Sequence, residues 1–268
     1  MRGFGGVKVR ALMYHDVIEE GLWDSSGFSG ARAGAYKLER QEFERHLAAI
    51  RTAVSVERIG LVTQGLEDSR KTPVLLTFDD GGASAYEPVA DLLESHGWRG
   101  HFFVTTGWIG TPGFLDGVRI RELHARGHVI GSHSCSHPAK MAGCPRSQLN
   151  REWGDSIHAL EDILGEAVTV ASVPGGHYSR RVAESAAEVG IQVLFNSEPT
   201  ATVRWAGPCL VLGRYVVRRG MAPETSAGFA SGSMVVCVRQ AASWKLKKAT
   251  KAVVGSTAYS KVRDRLLP

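Results

Sequence analysis

The 268-residue chain has no run of 18 apolar residues, so its sequence holds no stretch fit to cross a bilayer as a helix. Its four cysteines, at positions 135, 144, 209 and 237, include no CxxC pair. That excludes a disulfide scaffold and fits free thiols in a reducing cytoplasm. Prolines number only 10 against 31 glycines, and 43% of residues are hydrophobic and 22% charged, which excludes disordered and collagen-like chains. The start, Met1-Arg2-Gly3-Phe4-Gly5-Gly6-Val7-Lys8, leads into a short apolar stretch without a small-residue cleavage site, unlike a secretory signal. The expectation is a cytoplasmic protein, long enough for one large α/β domain or two small ones.

Acidic residues are scarce at one end only. Residues 239–268 carry eight Lys or Arg and one acid, Asp264, a net of +7; the other 238 carry 24 basic and 26 acidic residues, a net of −2. The body therefore has no basic stripe, and nucleic acid is excluded as the main partner. Residues 244–266 read as a basic helix with Leu246, Val253, Val262 and Leu266 roughly on one side. Such a helix either packs on the body with a solvated basic face or makes peripheral contact with an anionic membrane, here the inner membrane face.

Strand-like and helix-like patterns alternate along the body. Residues 7–17, 74–78, 101–104, 129–131, 168–173, 191–195 and 210–217 read as strands, and 74–78 is the unbroken apolar run of a strand buried on both faces. Helical periodicity falls around 43–54, 89–93, 120–126, 149–164 and 182–189. Small-residue stretches at 21–34 and 221–232 read as loops. Seven strands alternating with helices predict a parallel α/β architecture, whose closed form is a barrel. With no linker before about residue 220, the expected organisation is a catalytic body over 1–220 and a basic, helical extension over 221–268.

Two clusters carry chemistry, and each follows a strand-like run. In Thr77-Phe78-Asp79-Asp80-Gly81-Gly82, adjacent carboxylates repel unless a cation or a raised pKa relieves them, although Asp and Gly also suit a simple turn or helix cap. In His133-Ser134-Cys135-Ser136-His137-Pro138, two histidines four apart have metal-ligand spacing. One carboxylate and two imidazoles make a three-ligand site with open positions, suited to catalytic zinc or to non-haem iron. The spare aspartate favours hydrolysis, which needs a base beside activated water.

These two clusters, in this order and spacing, resemble the first two motifs of the polysaccharide deacetylase family (the NodB-homology domain, carbohydrate esterase family 4). Val173-Pro174-Gly175-Gly176 stands where the third motif belongs. The resemblance spans roughly 7–220. It implies a distorted (β/α) barrel with about seven parallel strands and a divalent metal, zinc first, with cobalt or another divalent ion also compatible. It also implies that Asp79 is the general base and that Asp80, His133 and His137 hold the metal. A backbone N–H near Gly175 and Gly176, in the turn begun by Pro174, would then face the oxyanion.

The chain departs from the family pattern twice. The arginine that usually opens the third motif is replaced by Ala171-Ser172, and Leu210-Val211-Leu212-Gly213-Arg214 lacks the fifth-motif histidine that acts as general acid. His177 is the first candidate for that acid and His15 the second. Arg214 is a candidate to steady Asp79 or to bind an anionic group of the substrate, and Trp108 and Tyr178 are candidate platforms for a sugar ring. The expected activity is removal of an N-acetyl or similar N-acyl group from an amino sugar, soluble or carrier-linked. The competing expectations are a hydrolase of a non-sugar amide or imide on the same barrel, and a catalytically silent sugar-binding protein.

Overall fold

Eleven strands and eight α-helices are described in the computed structural model, which covers residues 7–64 and 72–254. The strands are β1 (Arg10–Tyr14), β2 (Val17–Ile18), β3 (Leu38–Glu39), β4 (Val74–Phe78), β5 (His101–Val104), β6 (Val129–Ser132), β7 (Val170–Ser172), β8 (Val193–Phe195), β9 (Arg204–Ala206), β10 (Cys209–Leu212) and β11 (Arg214–Val216). The helices are α1 (Ala31–Gly34), α2 (Arg40–Ala53), α3 (Asp91–Ser95), α4 (Gly117–Ala125), α5 (Arg146–Leu164), α6 (Arg180–Glu188), α7 (Pro223–Ser231) and α8 (Met234–Val254).

The main sheet has the order β11-β1-β4-β5-β6-β7-β8-β10-β9, parallel throughout except for β9 on β10. β10 and β11 are one stretch of chain interrupted at Gly213. Its first half pairs with β8 and its second half with β1, so this stretch closes the sheet into a barrel. Counted this way, seven parallel strands form the wall, one for each strand-like run in the sequence. A Cβ on Gly213 would overlap the Glu198 carbonyl oxygen, which accepts the Arg214 N–H at 2.9 Å. Only glycine allows that close approach at the corner.

Period-two alternation sorts the strand residues into two cores. Leu12, Tyr14, Val74, Leu76, Phe78, Phe102 and Leu194 pack outward beneath the helices, whereas Ala11, Leu75, Phe103, Val129, Val170, Phe195 and Leu212 fill the barrel. Each fully buried Leu or Phe contributes roughly 1.5–3 kcal/mol. Thr77 continues the inward series from Leu75, and Asp79 follows it at the C-terminal rim, where barrels of parallel strands gather their loops. α5 buries Leu149, Trp153, Ile157 and Leu160 on the side its periodicity predicts and ends on left-handed Gly165, φ 74°.

Three expectations need correction. Residues 221–232 are not a loop: Pro223 opens α7 at a position where a missing N–H costs nothing, and Ser226, Gly228, Phe229 and Ala230 are buried as α7 packs on α2 and β1. Their small side chains serve a close helix contact rather than a turn. The barrel's helical layer therefore continues past residue 220. The basic helix begins at Met234 rather than at 244, and its expected continuation to 266, with Val262 and Leu266, lies outside the described residues, as does the Val253 side chain. The 21–34 stretch contains one helical turn, α1.

A charged cluster at the C-terminal end of the barrel

The ends of β4 and β6 bring the two sequence clusters together. Asp80 Oδ1 lies 3.4 Å from His133 Nε2 and 3.5 Å from His137 Nε2, and one ligand atom from each of these three residues falls within 4.8 Å of the others. A tetrahedral ion with bonds of about 2.1 Å requires ligand separations of about 3.4 Å, so this donor set fits a zinc-like divalent cation. The His133 orientation fits as well: Nδ1–H donates to the Ser172 carbonyl at 3.0 Å, which turns Nε2 toward Asp80, where a bound cation would take the place of its proton.

The backbone at this centre is strained. Asp80, Ser134 and His137 adopt left-handed φ values of 77°, 65° and 58°, which cost non-glycine residues about 1–3 kcal/mol each. Neighbouring bonds hold them there. Ser134 Oγ accepts the His137 N–H, Ser132 Oγ accepts the Ser134 N–H, and the Asp80 carbonyl accepts the Thr105 N–H. Buried Glu152 of α5 completes the support, taking the Ser136 N–H at 2.8 Å and the Ser136 hydroxyl at 2.6 Å. A charged residue beside Leu149 and Trp153 on a buried helix face is the signal by which Glu152 was readable in the sequence, and it was missed.

Asp79 is held separately from the three candidate ligands. Arg214, fully buried, donates from Nη1 to Oδ1 at 2.6 Å and from Nη2 to Oδ2 at 2.7 Å, a bidentate pair. The same guanidinium donates to Ser172 Oγ (2.7 Å), Thr77 Oγ1 (3.2 Å) and the Asn196 carbonyl (3.1 Å). Every part of the fork is engaged inside the barrel, so the alternative of Arg214 as a substrate contact is corrected: it steadies Asp79. The arginine missing before Val173 is thus supplied across the barrel from β11. Ser172, where that arginine is absent, bridges Arg214 and Asp79 through its hydroxyl and His133 through its carbonyl.

Electrostatics follow from this packing. Burial alone pushes the Asp79 carboxyl up, but Arg214 and His133 outweigh it and hold the group well below the usual carboxylate range. Burial likewise opposes the charged form of Asp80, and the hydrogen bond to His133 with His15 and His137 nearby brings its pKa down. His137, half-buried and beside His133, falls to about 4. The carboxylates are ionised and an imidazole lone pair is kept available, as a cation site requires.

The remaining candidates are spread around the rim. His15, at the end of β1, acts electrostatically on Asp79, Asp80 and His137, and its buried Nδ1 has no hydrogen-bond partner among the described residues. Its ring lies 4.7 Å from that of Tyr36. His177 stands beside Gly175 in the turn after β7. Pro174, Gly175 and Gly176 form that turn, with both glycines left-handed; a Cβ on Gly176 would overlap Ser197. The Gly176 N–H already donates to the Val173 carbonyl at 3.1 Å, so the oxyanion role expected of this turn rests on the Gly175 amide. Trp108 joins Phe28 and Phe114 in an aromatic group, and the Phe28 ring lies 5.0 Å from His137. Tyr178 lines a separate cavity of about 190 Å³ with Arg180, Glu198 and Trp205.

Phe28 was not singled out in the sequence because it stands alone in a glycine- and serine-rich stretch. Two buried groups anchor that stretch. Asp16 accepts from Ser26 and Ser84, and Lys37 Nζ donates to the Trp23 and Ser26 carbonyls, both at 2.6 Å.

The polysaccharide deacetylase family model matches residues 67–194. YxkH of Bacillus subtilis (strain 168), provisionally named a polysaccharide deacetylase, is 28% identical over 219 residues, covering 80% of this chain and 73% of its own. The peptidoglycan-N-acetylmuramic acid deacetylase PdaA of the same organism is 30% identical over 142 residues, and the match covers 52% of this chain and 51% of that one, about half of each. Among solved structures, the deacetylase PplD of Streptococcus pyogenes, in complex with acetate, superposes with a TM-score of 0.65 at 22% identity, over 81% of this chain and 96% of that one. IcaB from Ammonifex degensii gives 0.65 at 21% identity, over 84% and 98%. At these identities the structural likeness speaks for the barrel.

Proposed function

The chain belongs to the polysaccharide deacetylase family, and from that premise we propose that it hydrolyses the N-acyl amide of an amino sugar. The observation that carries this reading is the juxtaposition of an Asp–His–His donor set with a second, arginine-held carboxylate at one end of the barrel. Asp80, His133 and His137 would hold a divalent ion, zinc first. Bound there, such an ion supplies Lewis-acid chemistry, polarising the amide carbonyl and making water more acidic.

The chain's own residues do the rest. Asp79, kept ionised and fixed in orientation by Arg214, takes the proton of the attacking water. The Gly175 amide, in its exposed turn, offers a donor to the oxyanion that forms at the former carbonyl. His15 is the preferred proton donor to the leaving nitrogen, ahead of His177, because it shares the field of both aspartates and of His137. A free amine and a short carboxylate leave. Phe28 and Trp108 supply an apolar wall for a sugar ring beside His137. An N-acetylated, carrier-linked amino sugar met in the cytoplasm is the substrate setting we favour, supported by the thiol content and charge distribution of the chain.

The test is acetate release from free, nucleotide-linked, lipid-linked and polymeric N-acetylated sugars, with zinc or cobalt added and Asp79→Asn in parallel. Release by the parent chain and a loss of about 10²–10⁴-fold in the variant are expected. Absence of release from every donor by a metal-loaded chain would overturn the N-acetyl reading.

A further inference from the structure

α8 is amphipathic in an unusual sense: its apolar stripe faces away from the protein. Met234, Val235, Val238 and Leu246 are 79%, 77%, 59% and 69% exposed, and with exposed Ala242 they fall on one side of the helix. The opposite side is the attached one. Val236 and Cys237 pack against the core, and the Gln240 amide exchanges two hydrogen bonds with the Val216 backbone, at 2.8 and 3.1 Å. Among the described residues nothing covers the stripe, while the opposite face holds the helix in place.

The charges on α8 are all of one sign. It carries Arg239, Lys245, Lys247, Lys248 and Lys251 and no acidic residue, within a terminal stretch of net +7 on a body of net −2. Arg239 lies at one edge of the apolar stripe and Lys245 within its other side, next to Val238 in angle. A second copy of the chain would set two such cationic helices against each other, which like-charge repulsion opposes. No helix among the described residues is long and apolar enough to cross a membrane. Uncovered apolar side chains edged with cations, on a helix that does not span, match the chemistry of an anionic interface.

We propose that α8 docks on the surface of an anionic phospholipid bilayer, its stripe entering the headgroup boundary and its cations meeting lipid phosphates. The helix starts beside Arg10, at the N-terminal end of β1, and passes Val216, at the C-terminal end of β11. Its first two turns therefore run along the barrel wall toward the catalytic rim. Docking lays this wall on the membrane and leaves the rim open at its edge, beside any substrate anchored in the same surface. The inference stands on α8 alone and does not depend on the reaction proposed above.

Vesicle flotation of the full chain tests it, with phosphatidylcholine alone and with phosphatidylcholine containing phosphatidylglycerol. The expected result is flotation with the anionic vesicles at low salt, release at high salt, and none with the neutral ones. Arg239→Gln with Lys245→Gln should weaken binding about fivefold for each charge removed, and Val238→Ser with Leu246→Ser should abolish it. All four side chains are exposed, so unchanged thermal unfolding of both double variants keeps the comparison readable. Failure of the parent chain to float with anionic vesicles would overturn the proposal. So would equal binding to neutral vesicles, or indifference to both pairs of substitutions. Self-association that the serine pair abolishes would assign the stripe to a second copy instead.

Discussion

The two ends of the barrel each bury a histidine completely, and the two are treated in opposite ways. His101, near the closed end, accepts the Val62 N–H at Nε2 (3.0 Å) and donates from Nδ1 to the Leu76 carbonyl (3.1 Å). Burial there pushes it down to about 4, with no carboxylate among the described residues opposing the shift. His133, at the open end, loses as much solvent, yet Asp79 and Asp80 outweigh burial and raise its pKa. Burial sets a histidine neutral; paired carboxylates reverse that, and a cation bound between them would take the proton's place. One end of the barrel is thus built for stability and the other stores charge and backbone strain for chemistry.

Arg214 is where that contrast breaks most easily. Arg214→Ala leaves Asp79 a buried, uncompensated charge, and should cost about 3–5 kcal/mol of stability in denaturant unfolding. His101 governs the next effect. Its folded pKa lies below its ordinary value of 6.5, so the unfolded chain binds the extra proton. The stability it contributes is complete above pH 6.5 and is lost as pH falls toward 4, by at most about 3 kcal/mol. His46 and His128 shift the same way, burial being the main cause in each, so the readout is the difference between the parent chain and His101→Gln, whose loss over this window should be smaller. An unchanged pH slope in that variant would break the comparison. Smallest is Glu152→Gln, which keeps the shape of the support under Ser136 but weakens its charge-assisted bonds. It should cost about 1–2 kcal/mol and weaken metal affinity about tenfold in a chelator competition.

Much of this was legible because local chemistry and fold agree. The seven strand-like runs are the seven barrel strands, since a strand buried on both faces has little choice but to be apolar. Asp79, Asp80, His133 and His137 were readable as two short clusters, each contiguous in sequence. The partnership of Arg214 with Asp79 was only one of two alternatives, because 135 residues separate them and strand pairing around a closed barrel brings them together. α7 was misread for a related reason: small residues look the same whether they turn a loop or let helices touch, and only α2 decides between the two. Phe28 and Glu152 depend on loop anchoring and helix rotation, which composition does not record.

The central claim is that a guanidinium from β11 orients Asp79 in place of the arginine absent before Val173. The direct measurement is kcat for acetate release by zinc-loaded parent, Arg214→Lys and Asp79→Asn chains, with bound zinc counted in each. Lysine keeps the charge but not the bidentate fork. The account predicts about one zinc per chain in all three, since neither residue is among the three proposed ligands. It also predicts that Arg214→Lys falls about 10²-fold or more toward the level of Asp79→Asn. A folded, zinc-loaded Arg214→Lys chain that turns over at the parent rate would contradict it.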